Sequence, residues 1–200
     1  MKTLELFPTL IDIDVLDNIP DDYIKQCKNI ILDEKRLGYA SDSVTSDQYI
    51  LDRFPPLKDV ITKYINQYVA KLSHTLVNYK ISSSWGYVTR FNNAKENLHH
   101  HNNSNISGVF YLTKGASIAF SNNFLNDKFP FKTGLTFKTL DNRPNGVIEL
   151  EIKEKQLIIF PSYLPHCVLE NKDDSYRVSI AFNSIPSGEF GDITSKLNIK

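Results

Sequence analysis

The chain has 200 residues, 41% of them hydrophobic and 23% charged, an ordinary globular composition long enough to bury a sizeable core in one domain. Lys+Arg 23 balances Asp+Glu 23, so the formal net charge is zero and a general nucleic-acid binder, which needs a basic footprint, is disfavoured. The N-terminus mixes apolar with acidic residues, and no stretch is long and apolar enough for a signal h-region or a membrane span, so the expectation is a soluble, cytoplasmic protein with no membrane partner.

Leu4–Val15 alternates in part between apolar and polar or acidic residues and reads as a strand, which Asp17-Asn18-Ile19-Pro20 breaks. Asp21 or Asp22 caps a helix running to about Lys35, with Tyr23, Cys27, Ile30 and Ile31 on one face. Gly38–Gln48 is polar and reads as a loop. Pro55-Pro56 introduces a second helix to about Ser73, whose Val60, Ile61, Ile65, Tyr68 and Val69 form an apolar stripe toward the core.

From Asn78 the character changes to short runs of Val, Ile, Phe, Tyr and Thr separated by Asn, Gly, Asp and Pro. Strands are expected over Ile81–Phe91, Ser107–Thr113, Ser117–Phe120, Thr133–Thr139, Val147–Ile152, Gln156–Phe160, Cys167–Glu170 and Tyr176–Asn183. The whole reads as one domain, mainly β with flanking helices: 1–77 as helical support, 78–185 as a β sandwich or barrel, and 186–200 as a short, loosely held polar tail. The two cysteines, Cys27 in a helix and Cys167 in a strand, are expected as free thiols in a reducing compartment.

Four of the five histidines fall in two places, His99-His100-His101 and His166. In an extended segment alternate side chains share a face, so His99 and His101 point one way and His100 the other. His166 follows the apolar run Leu157–Phe160 and arrives from a different strand. A single histidine is more often a core or surface residue than a ligand, but only His74 lies outside this pattern. The joint arrangement favours a mononuclear metal site with positions open to exogenous ligands; imidazole suits iron, zinc, copper and nickel. Arg177 and Ser179 also share a strand face. Beside the apolar run VSIAF the arginine is expected to be partly buried, where it needs an anion, and a guanidinium fork matches a carboxylate.

Trp85–Asn183 resembles the Fe(II)- and 2-oxoglutarate-dependent oxygenases, in particular a group of them found in phages and bacteria. The resembling blocks are HHHNNSNISGVFYL (99–112), IIFPSYLPHCVLEN (158–171) and YRVSIAFN (176–183). The resemblance implies a double-stranded β-helix (jelly roll), and the host cytoplasm if the chain is phage-encoded. It makes His99, His101 and His166 the ligands of Fe(II), with Arg177 and Ser179 holding the distal carboxylate of 2-oxoglutarate and Tyr111 also touching this cosubstrate. It implies hydroxylation of an unidentified substrate by O2, with release of succinate and CO2. Trp85, Tyr87 and Arg90 are candidates to touch substrate at the mouth, although the first two read more readily as core aromatics.

Two departures stand out. Most of the wider superfamily carries His-x-Asp or His-x-Glu where this chain has His101, and a glycine expected before IIFPS is replaced by Glu154-Lys155-Gln156. The alternatives are a non-enzymatic metal-binding jelly roll and a cupin-like three-histidine dioxygenase that does not use 2-oxoglutarate.

Overall fold

The computed structural model describes residues 9–36, 44–73, 77–90, 97–121, 147–192 and 194–199. The expected strand Thr133–Thr139 lies outside them. Two antiparallel sheets face each other as a jelly roll. The larger runs β1 (Asp12–Val15), β6 (Gln156–Pro161), β3 (Ile106–Tyr111), β8 (Arg177–Phe190), β2 (Asn78–Thr89), and β9 (Leu197–Ile199) pairs with β8. The smaller runs β5 (Val147–Ile152), β4 (Gly115–Ser121), β7 (His166–Val168).

Helices α1 (Asp21–Arg36) and α2 (Pro55–Leu72) cover the outer face of the larger sheet. In α2 the two prolines lie inside the first turn, where a missing N–H costs no helical hydrogen bond. Its Leu57, Ile61, Ile65 and Tyr68 are buried together with Ile24, Cys27 and Ile31 of α1. They meet every second residue of the sheet: Val178, Ile180 and Phe182 of β8, Phe110 of β3, and Leu157 and Ile159 of β6. Each such side chain contributes roughly 1.5–3 kcal/mol by leaving water. The intervening residues project between the sheets, where Val109, Tyr111, Ile158 and Phe160 meet Ile118, Phe120 and Ile152. The strand period of two thus assigns one face of β8 to the core and the other, Arg177, Ser179 and Ala181, to the interior of the sandwich.

Two expectations change. The polar end of the chain is not a loose tail: β8 runs on to Phe190 and Leu197–Ile199 pairs with it through Gly188, Glu189 and Phe190. The part of the expected loop that is described, from Val44, is tied to β2 by bridges Val44↔Tyr87 and Tyr49↔Ser84 and leads into a 3₁₀ turn at Ile50–Arg53. Both are joined through backbone groups, which leave no hydrophobic period to read. Neither cysteine forms a disulfide, as expected, and burial pushes the Cys27 thiol up to about 11. No described helix is long and apolar enough to cross a membrane.

Gly108 marks the tightest approach within the larger sheet. A Cβ there would stand 2.6 Å from the backbone oxygen of Ile158 and against the Phe182 ring. Because a backbone carbonyl cannot swing aside, Gly108→Ala should destabilise the fold by about 1–3 kcal/mol, the cost of overpacking. The expected readout is a lower urea midpoint at unchanged slope.

Candidate metal and anion site

His99, His101 and His166 come together between the sheets, with one ring nitrogen from each lying within 4.8 Å of the others. The main chain fixes this meeting. His99 and His166 exchange backbone hydrogen bonds of 3.0 and 2.9 Å, and the His101 N–H donates to Ser162 O at 3.0 Å. Residues 99–101 are therefore laced to the turn before β7, and alternation turns His99 and His101 inward while His100 stays exposed over a separate depression with Asn102 and Tyr163.

The His166 Nδ1 is 2.9 Å from Leu164 O and the His99 Nδ1 is 2.9 Å from Asn97 O. A carbonyl only accepts, so each Nδ1 carries the proton and each Nε2 presents its lone pair. The Nε2 atoms of His101 and His166 stand 3.2 Å apart. That is the spacing of two nitrogens sharing one cation at about 2.1 Å and near a right angle.

The same cavity, about 170 Å³, is walled by Trp85, Tyr87, Arg177 and Ser179 as well as the three imidazoles. Arg177 is 1% exposed. Its Nη1 makes one long hydrogen bond of 3.5 Å to Thr89 Oγ1, its Nε has no partner, and no carboxylate pairs with it among the described residues. The guanidinium carbon lies 4.9 Å from the Tyr111 ring centroid and 5.7 Å from that of Tyr87. Desolvated cation–π contacts return about 2 kcal/mol, whereas burying an ion costs several and leaving a buried donor unpaired costs about 1–3 more. The imbalance leaves this side chain free to take an anion as a partner.

Tyr111 does not line the cavity. It is buried beside Arg177 with its hydroxyl unpartnered, and burial holds its phenol above the ordinary value while Arg177 pulls the other way. Trp85 and Tyr87 reach the cavity; Arg90 does not, lying exposed 5.9 Å from the Tyr176 ring. A wider depression of about 660 Å³ over Gly115, Glu149 and Asp173 brings together none of these groups. The sequence reading passed over Val44 on the cavity wall, Thr89 as the hydroxyl facing Arg177, and Asn171, which is fully buried. Thr89 could have been found by continuing the Trp85, Tyr87 alternation by one step; Asn171 carries no periodic signal.

The model of a family described as "Putative 2OG-Fe(II) oxygenase" matches residues 83–183, just over half of the chain. The chain belongs to this family of 2-oxoglutarate- and Fe(II)-dependent oxygenases. Its cofactors are accordingly Fe(II) and 2-oxoglutarate. No curated protein sequence matches. Among solved structures, the non-heme alpha-ketoglutarate-dependent carbocyclase SnoK from nogalamycin biosynthesis is 11% identical, with a TM-score of 0.63 over 90% of this chain and 81% of its own. HygX from Streptomyces hygroscopicus, with nickel and 2-oxoglutarate bound, is 10% identical, with a TM-score of 0.58 over 89% and 83%. The alpha-ketoglutarate-dependent epimerase SnoN from nogalamycin biosynthesis is 9% identical, with a TM-score of 0.56 over 90% and 77%. At these identities the likeness is one of fold.

The residues of this oxygenase fit both cofactors: bare Nε2 lone pairs for a divalent cation, and an orphaned guanidinium Nε for a carboxylate. Burial also holds two of the imidazoles neutral. His166, packed on Phe160 and Phe120, is pushed down to about 3, and His101 to about 4, in both cases chiefly by burial and then by the neighbouring imidazoles. Metal-free protein should therefore lose stability on acidification. The unfolded chain binds these protons near 6.5 and the folded chain only near 3–4, so stability is full above 6.5 and drains as pH falls through that window. The His166 share has a slope approaching about 1.4 kcal/mol per pH unit. Urea midpoints measured from pH 7 to 4.5 should fall, and fall less steeply in His166→Ala.

Proposed function

We propose that this chain hydroxylates an organic substrate, using His99, His101 and His166 to bind Fe(II) and Arg177, helped by Ser179, to bind the distal carboxylate of 2-oxoglutarate. One observation carries the proposal: three imidazole nitrogens within 4.8 Å share a cavity of about 170 Å³ with a buried guanidinium that has no anionic partner among the described residues. When bound, Fe(II) with 2-oxoglutarate supplies the oxidation, in which O2 is consumed, 2-oxoglutarate leaves as succinate and CO2, and one oxygen atom enters a substrate C–H bond.

The chain's part is placement. Hydrogen bonds from Nδ1 to Leu164 O and Asn97 O fix two imidazole rings before a metal arrives. Arg177 is orientated by Thr89 and the two tyrosine faces, so little ordering remains when the carboxylate binds. Phe120, Phe160, Val109 and Ile118 keep the interior dry, which strengthens each charge interaction there. Trp85, half-buried with its ring 5.6 Å from that of His101, offers an apolar face and an N–H to a substrate entering beside the metal ligands.

Anaerobic addition of Fe(II) and 2-oxoglutarate should produce the visible charge-transfer band of a chelate. The band should vanish in His166→Ala, and Arg177→Ala should weaken 2-oxoglutarate binding roughly 100-fold, the worth of a charge-assisted pair of hydrogen bonds. Absence of a band, or its survival unchanged in both variants, sinks the proposal. Since SnoK and SnoN are a carbocyclase and an epimerase, hydroxylation is tested separately by mass spectrometry under isotopically labelled O2. A product carrying one labelled oxygen supports it, and succinate formation with an unlabelled product excludes it. Turnover without 2-oxoglutarate would favour a cupin-like three-histidine reaction instead.

A further inference from the structure

Arg177 occupies an exposed point of the architecture despite its burial: it forms the last registered pair, Thr89↔Arg177, of the β2–β8 ladder. Terminal pairs of a ladder open first. Here the end is pinned from outside. Asn171, fully buried in the segment between β7 and β8, donates its Nδ2 to Thr89 O at 3.2 Å and to Ser175 O at 2.8 Å. Its Oδ1 accepts the Asp173 N–H at 3.3 Å. The first bond holds the end of β2, and the second holds the chain two residues before Arg177. Thr89, so fixed, presents Oγ1 to the Arg177 guanidinium.

An aspartate or serine could serve the turn to Asp173, but neither could supply the two simultaneous donations; an amide is required. The site is also closed from the second sheet. Gly115, at φ 137°, approaches so near that a Cβ would lie 3.0 Å from Arg177 Cβ and 3.4 Å from Asn171 Oδ1.

We infer that Asn171 is a positioning residue for the cosubstrate: without lining the cavity, it clamps Thr89 and the start of β8 so that the Arg177 fork points at the carboxylate. The inference rests on the function proposed above for Arg177. It concerns one end of the cavity only, since the three imidazoles are held by different bonds, to His166, His99 and Ser162.

That separation supplies the test. With the full chain, Ni(II) binding is followed by fluorescence of Trp85, the chain's one tryptophan, which lies beside His101. 2-Oxoglutarate binding is then followed by titrating the anaerobic Fe(II) form. Asn171→Ala should raise the 2-oxoglutarate Kd about ten-fold, the usual scale for losing a supporting partner, with Ni(II) affinity unchanged. An unchanged Kd for 2-oxoglutarate overturns the inference, and so does a parallel loss of both affinities, which would mark a purely structural role. If Asn171→Ala does not fold, the isosteric Thr89→Val decides. It should weaken 2-oxoglutarate alone and Thr89→Ser should restore it; wild-type affinity in Thr89→Val overturns the inference. Wild-type protein that binds no 2-oxoglutarate overturns the proposed function along with it, whereas a normal Asn171→Ala leaves that function standing.

Discussion

A guanidinium sealed inside a β sandwich, with no carboxylate beside it among the described residues, is the constraint around which this molecule is organised. Arg177 is 1% exposed, and its guanidinium is met by the Tyr87 and Tyr111 rings and the Thr89 hydroxyl, with no carboxylate among the described residues. Such a group is tolerated only because its strand is over-determined on the opposite face. Val178, Ile180 and Phe182 are locked under α1 and α2, and a slip of one residue would send them to the cavity and Arg177 into the helices. The helices do no chemistry. They set the register that keeps a costly charge in place.

The metal end is arranged by the same economy of backbone contacts. His101 hangs from Ser162 O, and Ser162 is itself fixed by hydroxyl contacts of 2.7 Å to Ser107 and 2.8 Å to Ser104, with Ser107 continuing to Asn183 Oδ1 at 2.7 Å. A chain of linked hydroxyls is rigid because each contact restricts the geometry of the next. Two polar networks, one of serines under the imidazoles and one of Asn171 and Thr89 under the arginine, therefore brace the two ends of one cavity.

What could be read in the sequence follows from how each residue signals itself. H-x-H and R-x-S are legible because a period of two is the strand's own period, so sharing a face is implied by spacing alone. The apolar faces of α2 and β6 are legible for the same kind of reason. Asn171 and the Val44 bridge are not, because their interactions run to backbone atoms of segments far away in sequence, and a backbone carbonyl is the same in every residue. The resemblance to the oxygenases placed Tyr111 on the cosubstrate. The structure buries it against Arg177, its ring centroid 4.9 Å from the guanidinium carbon and its hydroxyl without a geometric partner.

The histidine at position 101 takes on its meaning beside Arg177. A ligand set with a carboxylate would cancel part of the charge of a divalent cation, but three neutral imidazoles would cancel none of it. With Fe(II) held as proposed, the cavity would gather two charges from the metal and one from Arg177, with no acidic group in the cluster among the described residues. Only a ligand bearing two negative charges and reaching both ends brings this toward balance, which is the chemistry of a dicarboxylate such as 2-oxoglutarate. Metal and anion are thus each other's counter-charge. Linkage requires that each raise the other's affinity by the same factor, and in a dry cavity that factor is large. A three-histidine site is on this argument no weakened form of the usual one. With the ligands as proposed, each partner would bind more tightly in the presence of the other, which would favour assembly of the site with both together.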